Sequence, residues 1–158
     1  MQILPSTVVA LERLAAELVL HRGNNSEPQS LDPHKSEGVP SANIQRDLYE
    51  GLLSEAPGGA LVPGVAVKWT ISRDGRRYVF TLRKNAKWSN GDPVTADDFV
   101  YSWRRIIDPG TGSYYAQTLA PVLNAEEIIR GNKPASELGI HAIDQHHLEV
   151  LLKGPTPY

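Results

Sequence analysis

Two periodicities organise this chain. Val67, Trp69 and Ile71 alternate with polar neighbours along residues 65–72, and Tyr78, Phe80 and Leu82 do so along residues 77–83. A repeat of two is the side-chain period of a half-buried strand. Asp74-Gly75 separates the two runs, so the pattern predicts a β-hairpin. Residues 140–143 and the alternation Leu148, Val150, Leu152 predict a second hairpin near the end. Between the hairpins the period becomes helical. Phe99, Trp103 and Ile106 fall three or four apart behind Thr95-Ala96-Asp97-Asp98, which has the form of a capping box. A helix is therefore predicted over 96–107, stopped by Asp108-Pro109-Gly110.

Other signals are shorter. Ser41 stands as an N-cap for Ile44, Leu48 and Leu52, which recur every fourth residue and predict a helix to about Leu53. Residues 56–64 (APGGALVPG) read as a loop, and residues 84–93 as a turn region containing Asn90-Gly91. Residues 114–123 and 125–130 read as short helices. Leu18-Val19-Leu20, ending at Gly23, reads as a buried strand behind an arm over residues 1–16, itself with a short helix over residues 9–16. The polar, Pro- and Gly-punctuated stretch 24–40 is a long loop, and long ordered loops often carry function. Twelve prolines and 13 glycines fit a loop-rich α/β or α+β domain.

Composition acts mainly by exclusion. A net charge of −2 over 158 residues, with no Lys/Arg cluster, gives no electrostatic footprint for nucleic acid. No run approaches the roughly 18 apolar residues of a membrane span, and no basic amphipathic segment marks a membrane surface. The absence of cysteine removes disulfides, thiolate metal sites and Cys nucleophiles. The opening MQILPSTVVALERLAAELVL does not read as a secretory signal, because no Lys or Arg precedes its apolar part and Glu12, Arg13 and Glu17 interrupt it.

Candidate chemistry is sparse. There is no G-x-S-x-G, H-E-x-x-H or P-loop. Gly110-Thr111-Gly112 follows a helix and lacks the third glycine of a dinucleotide fingerprint, so it reads as a helix stop. His146 and His147 are adjacent on a strand and point to opposite faces, which fits a decorated turn better than one metal site; His34 stands alone in its loop. Asp97-Asp98 and Glu126-Glu127 sit at predicted helix starts, where acidic side chains complement the macrodipole. The alternative is a carboxylate-dependent hydrolase, which needs two such groups facing across a cleft. Trp69 and Trp103 fall on apolar faces and read as core. Trp88, beside a turn, fits either a core edge or a ligand cleft, and Tyr114-Tyr115 lies outside any clean apolar stripe.

Several stretches together resemble the oligopeptide-binding proteins of solute-binding family 5. They are residues 24–34 (NNSEPQSLDPH), 37–40 (EGVP), 43–53 (NIQRDLYEGLL), Pro63-Gly64-Val65-Ala66 with Trp69, and above all 78–104 (YVFTLRKNAKWSNGDPVTADDFVYSWR). Asp108-Pro109, Tyr115-Ala116, residues 138–144 (LGIHAID) and Leu148-Glu149-Val150 continue the register. The similarity runs from about Leu18 to Tyr158, and leans to the oligopeptide and murein-tripeptide branch rather than the dipeptide or nickel branches.

What the resemblance implies is a periplasmic substrate-binding component of an ABC-type importer, not an enzyme. The implied fold is α/β and bilobed, of the type II periplasmic-binding-protein kind, with a mixed sheet, β-hairpins and flanking helices. Residues 1–49 would supply the first strand and loop of the peptide-binding lobe, residues 50–158 a supplementary domain, and the second lobe would lie beyond Tyr158. The partners implied are short peptides and the importer's permease, with a monomeric receptor and no cofactor or metal. The segment Glu37, Gly38, Val39 would pair with the backbone of an extended peptide whatever its side chains, Gly38 would allow close approach, and Tyr115 would line the same cleft. With the second lobe and its carboxylate for the peptide's N-terminus outside the chain, weak or no peptide binding is expected of these residues alone. A remnant that binds nothing is the second reading.

Overall fold

The computed structural model describes residues 23–156. The expected strand at Leu18-Val19-Leu20 and the arm before it lie outside the described residues. The periodic segments fold as their patterns require. β3 (Ala66–Ile71) and β4 (Arg77–Leu82) form the first hairpin, and β5 (Ile140–Asp144) and β6 (His147–Leu151) the second. They merge into one antiparallel sheet of order β3-β4-β6-β5.

The register explains the core. Trp69 and Ile71 lie opposite Phe80 and Tyr78; those lie opposite Leu148 and Val150, which in turn face Ala142 and Ile140. Residues directly opposite share a face, so one side of the sheet is apolar across all four strands. α2 (Ala96–Ile107) covers the β5–β6 end of that side with Val100 and Ile107, while Phe99, Trp103 and Ile106 pack around them. Leu148, Ile140, Leu138 and Ile128 are fully buried. At the β3 edge the cover thins: Trp69 is half-buried, and Val67 and Ile71 are 47% and 51% exposed. A bulge between Ala66 and Lys68 buries Ala66 rather than Val67.

α2 starts as its capping box predicts. The Thr95 backbone N–H donates to Asp98 Oδ2 at 2.7 Å, and the Thr95 hydroxyl donates to the same oxygen at 3.0 Å. The helix ends at Ile107, before Asp108-Pro109. α3 (Ala125–Ile129) and a 3₁₀ turn over Ala116–Leu119 complete the packing, the latter all that forms of the expected helix over 114–123. Leu152 leaves the sheet and bridges Val122 instead.

Two further expectations need correction. α1 spans Val39–Leu48, not residues 41–53. Pro40 near its start supplies a preset helical φ, so Ser41 is a buried residue inside the helix rather than its cap. Beyond Leu48 the chain turns extended at Tyr49, and the carbonyls of Gly51 and Leu52 accept from Val65 and from Gly64 and Ala66. Residues 56–64 also contain more than loop. β1 (Leu53–Glu55) and β2 (Leu61–Pro63) form a short antiparallel pair, closed where Ala56 N–H donates to Ala60 O.

Gly139 marks the tightest crossing. Its N–H donates to Leu123 O and its carbonyl accepts from Leu151 N–H, joining the start of β5 to the end of β6 and to the segment before α3. A Cβ there would stand 2.7 Å from Leu123 Cβ and 2.9 Å from Leu151 O. Gly139→Ala is expected to cost about 1–3 kcal/mol, the usual range for overpacking. Urea denaturation checks this through a lower midpoint with an unchanged slope.

Candidate functional site

The loop before α1 is built from polar contacts. Asp32 O accepts from Lys35 and Ser36 N–H, and Asp32 Oδ1 accepts from His34 N–H at 3.1 Å, giving a compact turn over residues 32–36. Ser36 is buried and its hydroxyl accepts from Gln45 Nε2 at 2.5 Å, tying the turn to α1. Asn24 Nδ2 donates to Pro40 O at 3.0 Å, and Asn43 Nδ2 donates to Asn24 Oδ1 at 3.3 Å. The start of the loop is thereby fastened to the start of the helix.

The same turn is pinned to α2. Arg105 grips Asp32 bidentately, Nη1 to Oδ1 at 2.7 Å and Nη2 to Oδ2 at 2.5 Å. Arg105 Nη1 also lies 2.7 Å from His34 Nδ1, and His34 Nε2 lies 3.1 Å from Ser102 Oγ. A guanidinium only donates, so Nδ1 must accept and the proton of the neutral ring sits on Nε2, facing Ser102. The Arg105 hydrogen bonds hold the Asp32 carboxyl well below the usual carboxylate range. Burial, then the Arg105 charge, hold the His34 imidazole below its ordinary value, with Asp32 working the other way.

Downstream of the turn come Glu37, Gly38 and Val39, all exposed. Gly38 has φ +82° and ψ 163°, while Val39 opens α1. The left-handed φ explains the glycine in this chain, because an added Cβ would meet only Pro40 Cδ, at 3.8 Å. Among the described residues nothing pairs with the backbone N–H or C=O of Glu37, or with the N–H of Gly38. Tyr115 precedes the Ala116–Leu119 turn, which packs on α2. Its N–H donates to Ser113 Oγ and its carbonyl accepts from Thr118, so the backbone is fixed while the ring is 49% exposed. α2 thus anchors both segments, one through Arg105 and Ser102 and the other by packing; no hydrogen bond joins Tyr115 to Glu37, Gly38 or Val39 among the described residues.

Other candidates resolve into local structure. Asp98 caps α2; Glu126 pairs with Lys153 at 2.7 Å, and Glu127 binds Arg130 and Asn132. Asp144 accepts from His146 N–H at the β5–β6 turn and pairs with His147 at 2.7 Å. Trp103 packs against the core, and Trp88 is 44% exposed. Sequence reasoning missed Arg105 and Ser102 and left His34 isolated; 73 residues separate Asp32 from Arg105, and no local pattern joins them.

The ion pair sets the first test at this site. Asp32's lowered pKa means its stabilisation is present above the ordinary Asp value, about 3.9, and is lost only as pH falls through the still lower folded value. At neutral pH, Asp32→Asn is expected to speed amide exchange over residues 32–36 and leave the Leu148 and Ile140 amides protected. The loss should be about 1 kcal/mol, as for a partly exposed bidentate pair, read by hydrogen-exchange mass spectrometry.

Residues 60–158 match the profile described as bacterial extracellular solute-binding proteins, family 5 Middle. The periplasmic oligopeptide-binding protein OppA of Salmonella typhimurium is 53% identical over 148 residues, which is 92% of this chain and 27% of that protein. The periplasmic murein peptide-binding protein MppA of Escherichia coli is 47% identical over 156 residues, 98% of this chain and 28% of that one. The crystal structure of Haemophilus influenzae OppA in complex with RPPGFSPFR superposes with a TM-score of 0.82 at 47% identity, over 86% of this chain and 27% of that one. The chain therefore spans between a quarter and a third of the length of these relatives, and its α/β fold is that of the matching part. This chain belongs to the family 5 bacterial extracellular solute-binding proteins.

Proposed function

We propose that the chain forms part of the peptide-binding receptor of an ABC-type oligopeptide importer in the periplasm. The observation that carries this reading is the exposed backbone at Glu37 and the Gly38 N–H, which find no partner among the described residues and are held in place from both sides. An extended peptide presents N–H and C=O groups at a fixed spacing regardless of its sequence. A protein segment that offers the same groups in a rigid setting pairs with them by β-augmentation. Ordering entropy is spent during folding rather than at binding, because Ser36, Gln45 and the Arg105 cluster already fix the segment. Tyr115 supplies an exposed ring on a fixed backbone for the same ligand. Peptide is present in the solved relatives from Haemophilus influenzae and Listeria monocytogenes, which supports the ligand class.

In this reading residues up to about 49 belong to the peptide-binding lobe and residues from about 50 to a supplementary domain. The division is supported by the packing. The sheet and α2 close their own core, whereas α1 has no substantial contact with another element among the described residues and leaves Val39 and Leu48 at 67% and 60% exposure. The importer's permease is the partner, and the receptor acts as a monomer.

The test is amide-shift mapping of the isotope-labelled chain with a tripeptide, which reads weak and tight binding alike. Shifts are expected at Glu37, Gly38, Val39 and Tyr115. Gly38→Val should shrink them, since a β-branched residue at φ +82° costs about 1–2 kcal/mol and distorts the pairing backbone. A response confined to other residues overturns the reading.

A further inference from the structure

The cluster that pins the 32–36 turn contains an imidazole, placed against a permanent cation. His34 Nδ1 accepts from Arg105 Nη1 at 2.7 Å, and His34 Nε2 faces Ser102 Oγ at 3.1 Å. Protonation puts N–H on both ring nitrogens. Arg105 then has no acceptor on the ring, and two cationic groups meet at hydrogen-bond distance. Among the described residues Asp32 is the only carboxylate on these groups, and both its oxygens are already engaged by Arg105. The groups facing the ring are Asp32 from its own loop, and Arg105 and Ser102 from α2, with Tyr101 beside Arg105 one turn earlier.

We propose that Asp32, His34, Ser102 and Arg105 form an acid-sensitive latch that positions the Glu37 and Gly38 backbone, and that protonation of His34 releases it. Only Lys35 and Ser36 stand between the histidine and Glu37. The Ser36 side of the segment is fixed through the turn that Asp32 closes, and the far side by α1. Opening the latch removes the α2 anchor and leaves Glu37 and Gly38 held through α1 alone, by Ser36–Gln45 on one side and by the helix start on the other, with the left-handed Gly38 as the pivot.

The direction follows from linkage. A histidine whose folded pKa is lowered favours the latched state fully above the ordinary histidine value, about 6.5. That stability falls as pH drops below this value, and the loss saturates below the folded pKa. Asp32 stays ionised throughout that window, because its own pKa is lowered, so the change belongs to His34. The consequence for ligand rests on the peptide-pairing reading: acid should weaken the grip on an extended peptide. The latch itself does not rest on it.

The experiment follows the His34 ring and the Glu37 and Gly38 amides of the 158-residue chain by NMR between neutral pH and pH 5, without peptide. The ring is expected to titrate below the ordinary histidine range. The Glu37 and Gly38 amides should shift with the same midpoint, and their exchange, corrected for intrinsic pH dependence, should rise several-fold. His34→Gln keeps a donor and an acceptor without titrating, so its Glu37 and Gly38 amides should show no transition. The Leu148 and Ile140 amides report whether each variant is folded. Should His34→Gln disturb them, Arg105→Gln is the second test, expected to move the ring midpoint up and shrink the coupled response. An unresponsive segment while His34 titrates, or an unchanged transition in His34→Gln, overturns the latch. A working latch in a chain whose peptide-induced shifts fall only on other residues refutes the binding reading alone.

Discussion

The structure depends on burying one face of a twisted antiparallel sheet under a single amphipathic helix. α2 meets Leu148, Val150 and Ile140 with Val100 and Ile107, in one core with Val122, Ile128 and Leu138. Everything else is arranged around that contact. Gly139 permits the tight crossing that brings α3 and its preceding turn onto the same core, and the Ala66 bulge closes the sheet's other end over Gly51 and Leu52. α2 in turn exposes its outer side, where Ser102 and Arg105 reach the loop. A helix fixed by apolar packing thus becomes the rigid wall on which a polar segment is mounted.

The two halves are stabilised by different physics. From Leu52 to Leu152 the chain closes an apolar core, whose cooperativity resists small changes in pH or salt. From Asn24 to Tyr49 it relies on side-chain hydrogen bonds and one bidentate ion pair, each contributing modestly in net terms. Such tethers hold a segment in one geometry without welding it, and each depends on protonation state. That is a suitable support for the ligand-pairing backbone proposed above.

Legibility in the sequence follows the same divide. α2 and both large hairpins were readable because their burial repeats locally, at two or at three to four residues, and the Thr95/Asp98 cap lies within four positions. The β1–β2 pair escaped because three-residue strands hold too few alternations, and Pro57, Gly58 and Gly59 mask them. The start of α1 escaped because Ser41 imitates a cap while Pro40 sets the real beginning. Of the proposed site, Glu37, Gly38, Val39 and Tyr115 entered only through resemblance, since an exposed backbone leaves no compositional trace. Arg105 lies in the last turn of a helix, where a basic residue complements the macrodipole; its partner is 73 residues away, and only the fold brings the two together.

Arg105 shows why a residue's local explanation can be sufficient and still incomplete. Helix energetics alone would accept lysine at this position, with the same charge near the C-terminus. A lysine carries its three donors on one nitrogen, however, and lacks the planar fork that sets two parallel bonds on the Asp32 carboxylate while also donating to the His34 ring. The planar fork does three things at once: it closes the ion pair, selects the His34 tautomer with its proton toward Ser102, and places a permanent charge where a second proton on that ring would be opposed. The electrostatic arrangement that keeps the loop docked is therefore the same one that makes docking depend on protonation. Strengthening the ion pair alone would steady the turn without removing that dependence, because the conflict lies between the guanidinium and the ring, not between the guanidinium and the carboxylate.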